Sequence, residues 1–172
     1  VDLASSSSSS DSVVFYGGNG GYVVTKLGRA NSDLYSDILV GCSLASPTSD
    51  RTAAGLAVVV YGSAQMDSQS LVTAGLALYG AQAGDNFGAS VSAAGDINGD
   101  GLIDSLVGAP KASVTSDGLV REQAGVVFVI FGTSIQYTLI DLQTSWTAQV
   151  GLKILGATSF SFLGTSVGGL GD

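Results

Sequence analysis

Apolar residues in this chain fall in short runs bounded by Gly or by polar clusters. Examples are "LAVVVYGS" (56–63), "GLALYG" (75–80), "SLVGAP" (105–110), "GVVFVIFG" (125–132) and "GLKILG" (151–156). The apolar runs are four to seven residues long, too short for an ordinary helix and of the right length for strands. "GVVFVIFG" is apolar at successive positions, so it is predicted to be a strand covered on both faces. "GASVSAAG" (88–95) carries small side chains, which permit close approach of another backbone.

The pattern recurs along the chain. "SDILVGCSLAS" (36–46) matches "DSLVGAPKAS" (104–113), with Asp37 on Asp104. "LAVVVYGS" matches "VVFVIFGTS" (126–134), and "GLALYG" matches "GLKILG". "DNFGASVSAAGD" (85–96) matches "SFLGTSVGGLGD" (161–172). The opening "VDLASSSSSSDSVVFYG" runs parallel to "IDLQTSWTAQVGLKILG" (140–156), with Asp2 on Asp141 and Gly17 on Gly156. The chain therefore reads as roughly two and a half copies of one unit of four short strands. Repeated four-stranded antiparallel sheets point to blades of a β-propeller. A sandwich suits short strands too but leaves the repetition unexplained. The third copy stops at Asp172, which implies a piece of a longer repeat protein.

Composition narrows the function. The 172 residues carry 45 % apolar and 12 % charged side chains, with 25 Gly and 2 Pro. That argues for a folded, strand-rich domain and against disorder. The net charge is −8, with six scattered basic residues. Nucleic-acid binding would need a basic patch, and so would an electrostatic hold on anionic membranes. No apolar run approaches the ~20 residues of a transmembrane helix, and no signal peptide is visible. The chain has no His and one Cys. The commonest general base and zinc ligand is thus missing. Cys42, inside an apolar run, is expected to be a small buried side chain.

Phe87-Gly88, then "DINGDGLID" (96–104), then Gly108-Ala109-Pro110 resemble the FG-GAP repeat. That repeat builds the propeller of integrin α subunits and of many surface proteins. The resemblance spans essentially the whole chain and is strongest in the second unit. In the first unit Gly20-Gly21 stands for Phe-Gly and Gly41-Cys42-Ser43 for Gly-Ala-Pro; in the third, Leu163-Gly164 stands for Phe-Gly. It implies an all-β fold of antiparallel four-stranded blades, part of an integrin α-like propeller. Residues 1–20 would end a preceding blade and include the Ser-rich loop 5–10. Residues 21–80 would be a blade with a degenerate loop, 81–156 a blade with a calcium loop, and 157–172 the first strand of a following blade. Segments 12–17 and 164–170 would be strands of those neighbours.

The acidic loop is the candidate site. No Lys or Arg occurs from Thr52 to Pro110, so its clustered carboxylates need a cation or raised pKa values. Asp96, Asn98, Asp100, the backbone carbonyl of Leu102 and Asp104 offer oxygens at loop positions 1, 3, 5, 7 and 9. A hard, oxygen-loving Ca²⁺ suits that set better than Mg²⁺, which demands stricter octahedral geometry. Gly99 and Gly101 are expected to take left-handed turns. An EF-hand or dockerin-like loop would want an acidic residue at position 12, where Val107 stands. Closure at position 9 resembles the FG-GAP loop; a solvated Asx-rich turn without metal is the alternative. The first unit's loop, "GRANSDLYSD" (28–37), keeps Asn31, Asp33 and Asp37 but has Arg29 at position 1. Arg29 is expected to replace the ion by pairing with Asp33 or Asp37.

These residues imply a non-catalytic, calcium-binding module of an extracellular or cell-surface adhesion or structural protein. It would meet protein partners, or copies of itself, through loops and blade edges. An accessory propeller of a larger secreted enzyme and a self-assembling filament or sheath component are the alternatives. Trp146 is expected to be a partly buried packing residue. Loops 46–55 and 110–125 are counterparts, expected to be plain solvated loops.

Overall fold

Glycine-bounded apolar runs become strands throughout the computed structural model, which describes residues 15–16, 19–64, 69–70, 73–135 and 137–169. The Ser-rich stretch and Asp172 lie outside the described residues. The structure is all-β, with no α-helix among the described residues and none long and apolar enough to cross a membrane.

The first sheet contains β2 (Tyr22–Gly28), β3 (Asp37–Cys42), β4 (Leu56–Val60) and β6 (Gly75–Tyr79). They follow one another as antiparallel neighbours. The second repeats the plan with β7 (Ser90–Gly95), β8 (Asp104–Ala109), β11 (Val126–Ile130) and β13 (Gly151–Leu155). A short parallel pair, β1 (Phe15–Tyr16) with β5 (Gln69–Ser70), stands apart from both. Where β2 and β7 end, the register shifts by one residue, at Gly28 and again at Gly95. Both glycines have positive φ, 92° and 82°, so each bulge aims the chain into the loop that follows.

Besides β5, two elements were not predicted. The loop 110–125 contains a hairpin, β9 (Val114–Ser116) and β10 (Leu119–Arg121). Its turn residues Asp117 and Gly118 both have positive φ, the backbone a two-residue hairpin turn needs. The second, β12 (Leu139–Asp141), comes from the polar stretch of the second unit and adds a fifth strand to the first sheet, parallel to β6. Ile140 and Leu142 are buried there, and that burial explains the detour.

The core lies between the two sheets. Leu39, Ala57, Val59, Leu76 and Leu78 of the first meet Val107, Val126, Phe128 and Ile130 of the second, with Ile140 and Leu142 joining them. A second cluster, with Val40, Cys42, Leu56, Val58 and Val60, occupies the other face of the first sheet. Every residue of β4 and of β11 is buried, as expected for strands apolar on both faces. Cys42 is buried, and burial pushes its thiol up to about 11. Phe87, Phe128 and Trp146 stack edge to face, with centroids 5.2 Å apart in each pair. The Lys153 ammonium sits 4.9 Å from the Trp146 ring centre, a cation–π arrangement. Trp146 is half-buried against this core, as expected.

The repetition extends to individual hydrogen bonds. Asn86 N–H donates to Ala53 O and Phe162 N–H to Gln123 O, both at 3.2 Å. Phe87 N–H donates to Ala54 O and Leu163 N–H to Ala124 O, both at 3.0 Å. Ala53 and Gln123 share the left-handed conformation (φ 51° and 46°), as do Asn86 and Phe162 (54° and 51°). Residues 160–163 thus dock on the second sheet as residues 84–87 dock on the first. Residues 164–169, expected to form a strand, form no regular ladder. They are held by side chains of β7 instead: Ser90 Oγ donates to Gly164 O at 2.7 Å, and Gly169 N–H donates to Ser92 Oγ at 3.1 Å.

Candidate metal centre

The β7–β8 hairpin carries the acidic loop at its tip. Gly99 and Gly101 have φ of 76° and 86°, the left-handed turns expected of them. Asp96 organises the loop by accepting backbone N–H groups. Oδ1 takes those of Gly99 and Asp100 at 2.8 and 3.0 Å, and Oδ2 takes that of Gly101 at 2.7 Å. Asn98 Oδ1 accepts from Asp100 N–H at 3.0 Å, while its Nδ2 donates to Asp100 Oδ2 at 2.9 Å. Leu102 N–H donates to Asp100 Oδ1 at 2.9 Å. Asp96, Asn98, Asp100 and Leu102 are therefore brought together around one tight turn.

Asp104 closes that turn from the strand side. It opens β8, is completely buried, and has both oxygens engaged by backbone amides. Ile97 N–H donates to Oδ2 and Gly132 N–H to Oδ1, each at 2.8 Å. Burial raises its pKa; the two amides oppose this, and the nearby Asp100 and Asp96 add to it. Asp37 occupies the same place in the first unit. It is completely buried and accepts from Ala30 N–H at 2.8 Å and Gly62 N–H at 2.9 Å. One carboxylate per unit thus ties the first loop of the unit to the loop that follows its third strand. Sequence reading aligned Asp37 with Asp104 but gave Asp104 the role of metal ligand only. The signal for the clamp was already there: Asp37 persists in a loop whose first ligand position has become Arg29.

The donor set is entirely oxygen, which fits a hard cation; Asp96 Oδ1 already accepts two N–H groups, whereas Asp96 Oδ2 and both Asp100 oxygens each accept one hydrogen bond and keep a second lone pair. As the loop stands, no group of three or more His, Cys, Asp or Glu converges closely enough to hold an ion among the described residues. The turn is held by side chain–backbone hydrogen bonds of the Asx type.

Arg29 does not pair with a carboxylate as expected. Its Nε donates to the backbone carbonyl of Asp33 at 3.0 Å. The Asp33 carboxylate accepts instead from Asn31 Nδ2 and Tyr35 N–H, each at 2.8 Å, and Asp37 is taken by its clamp. Among the described residues, a cation that does find a carboxylate is Arg51, in a loop expected to be merely solvated. Its guanidinium makes a bidentate pair with Asp141 on β12, at 2.8 and 2.6 Å, and donates to Gly80 O at 3.0 Å. Arg51 is buried, and hydrogen bonding to it holds the Asp141 carboxyl below its usual range.

No family model matches the chain, and no curated protein matches it significantly.

Proposed function

We propose that this chain is a non-catalytic repeat module of the FG-GAP kind, its two sheets acting as adjacent blades of a propeller, stiffened by Ca²⁺ at the β7–β8 loop. Asp96, Asn98, Asp100, the Leu102 carbonyl and Asp104 would hold the ion. The observation that carries this reading is the hydrogen-bonded repetition of one four-stranded unit, whose first hairpin ends in a glycine-turned, all-oxygen loop. Ca²⁺ would supply charge neutralisation and cross-link the two halves of the turn. Asp96 Oδ2 and the Asp100 oxygens, each accepting one hydrogen bond, would offer the ion their second lone pairs while keeping those bonds.

A chain without His, whose acids cluster in a loop of this chemistry, is better suited to binding than to acid–base catalysis. Outside the cell or on its surface, where Ca²⁺ is about millimolar, a site with a dissociation constant of about 10⁻⁴–10⁻³ M would be filled. There the module would serve adhesion or structure, presenting loops and sheet edges to protein partners.

Calorimetric titration with Ca²⁺, paired with thermal unfolding of the chain and of Asp100→Ala, tests the reading. Asp100 is exposed, so its loss should leave the fold intact. The expected result is Ca²⁺-dependent heat and a rise in melting temperature, both absent in Asp100→Ala. Neither heat nor stabilisation at millimolar Ca²⁺ would overturn the metal assignment and leave a solvated turn.

A further inference from the structure

The bidentate tie in the first unit has an incomplete counterpart in the second. Matching backbone bonds align Thr52 with Glu122 and Ala53 with Gln123: Gly84 N–H donates to Thr52 O and Phe160 N–H to Glu122 O, at 2.9 and 2.8 Å. Ser46 Oγ accepts from Ala53 N–H and Ser113 Oγ from Gln123 N–H, at 3.1 and 3.2 Å. By that register Arg121 is the counterpart of Arg51. Arg51 has its Nε on Thr48 Oγ1 and its two terminal nitrogens on Asp141. Arg121 donates from one terminal nitrogen to Ser116 Oγ at 2.6 Å, while its Nε is buried with no hydrogen-bond partner. A buried guanidinium N–H without a partner is costly.

The strand next to each arginine differs in the same sense. In the first sheet, β6 is covered by β12, with Ile140 opposite Leu78 and Asp141 opposite Tyr79. Thr138 O accepts from Ala77 N–H, and Leu142 N–H donates to Tyr79 O, both at 3.0 Å. In the second sheet the equivalent strand, β13, is an edge. Leu76 and Leu78 of β6 are 3 % and 0 % exposed, whereas their counterparts Leu152 and Ile154 are 41 % and 49 % exposed. Among the described residues, the second sheet therefore lacks three things that the first has: a parallel fifth strand, a carboxylate for its arginine and a cover for its last strand. In the first unit, one segment of sequence apolar–Asp–Leu supplies the strand and the carboxylate, and helps to fill the apolar core.

We propose that the edge of β13 together with Arg121 is a docking site for a parallel strand of sequence apolar–Asp–Leu, of the kind formed by residues 139–142, presented by a further unit of this same repeat. The strand would pair with Lys153, Ile154 and Leu155, set its Asp opposite Leu155, and deliver that carboxylate to the Arg121 guanidinium. Successive units would then be joined by two devices, sheet packing and a bidentate arginine–carboxylate latch. Arg is suited to the latch because its planar fork matches a carboxylate at two points. The proposal depends on the repeat register alone and not on Ca²⁺.

The test is an NMR titration of the ¹⁵N-labelled full chain with a synthetic peptide of residues 133–146. Shifts are expected at the amides of Lys153 and Leu155 and at Arg121 Nε–H, with those of Ala77 and Tyr79 unmoved because β12 already occupies that edge. The peptide with Asp141→Asn should bind about tenfold more weakly, the worth of a good charge-assisted pair. Arg121→Gln in the chain should weaken binding by a similar factor, and Arg121→Lys should restore it only in part. The two changes together should cost little more than either one. No shift at β13 with millimolar peptide would overturn the proposal, as would equal binding of the Asn peptide. If Arg121→Gln disturbs the hairpin, seen as lost amide dispersion, the Asn peptide on the unaltered chain decides alone.

Discussion

At the scale of single residues, the buried carboxylates Asp37 and Asp104 do work that is separable from metal binding. Each satisfies two backbone N–H groups, one from the loop leading into its strand and one from a loop more distant in sequence. Replacing either by Ala leaves two N–H donors, buried or partly buried, without that partner, at a cost of about 1–3 kcal/mol. Urea unfolding should show this loss for Asp37→Ala with Ca²⁺ present or absent, whereas Asp100→Ala should cost nothing when Ca²⁺ is absent. Equal Ca²⁺ dependence of the two variants would refute the separation. Asp85 offers a second residue-scale prediction. Burial lifts it from the ordinary 3.8 to about 6, against the pull of the Gln82 N–H and the Lys153 charge. The folded chain therefore binds this proton more tightly than the unfolded chain. Its contribution to stability is complete below about pH 4 and is lost as pH rises through 6. Asp85→Asn should remove that part of the pH profile, measured as the difference in melting temperature between pH 4 and pH 7.

At the scale of elements, the contact between units depends on strands whose backbones approach closely. A side chain at Gly41 would strike the Gly88 carbonyl and crowd Val23 and Val91; one at Gly108 would strike the Gly164 carbonyl. These are the same position in successive units, and the neighbour in each case is the glycine that opens the next unit. Gly41→Val should force the sheets apart and destabilise by about 1–3 kcal/mol, as overpacking usually does. The loss should appear as a lower urea midpoint, with new protease sensitivity at the β6–β7 connection. Unchanged stability would mean that the sheets can slide to accommodate the side chain. Strand positions were legible from run length and turn residues because a buried strand needs only a short apolar run. The β9–β10 hairpin was not legible, since "SVTSDGLV" is polar enough to pass for a loop until Asp117-Gly118 is seen folding it back on itself. Nor was β12 legible as a strand of the first sheet, because its partner β6 lies 60 residues earlier and local pattern carries no information about which edge a strand will join.

At the scale of the whole molecule, two copies of one unit use the same bonds at the same places, including left-handed residues that are not Gly. That recurrence makes differences between the copies informative. The first loop has exchanged a carboxylate for Arg29 and closes with Asn31 and Asp33 in its place; the second keeps its carboxylates. The first sheet has five strands and a paired arginine, the second four strands and Arg121. A repeat protein is stabilised by interfaces between neighbours as much as by each unit alone, so an uncovered last strand is where a neighbour belongs.

The sequence by itself determined the all-β class, the unit and its four principal strands, the burial of β11 on both faces, and the turn-forming glycines of the acidic loop. Those features are local: they follow from period, run length and the φ freedom of Gly, and each can be read within about ten residues. Only the tertiary structure decided the rest. It set the buried Asp104 against the amide of Gly132, sent β12 back to the first sheet, and gave Asp141 to Arg51. Each of these joins groups far apart in the chain, and their partners are chosen by which backbone donors and side chains folding brings within about 3 Å, a distance that no spacing along the sequence encodes.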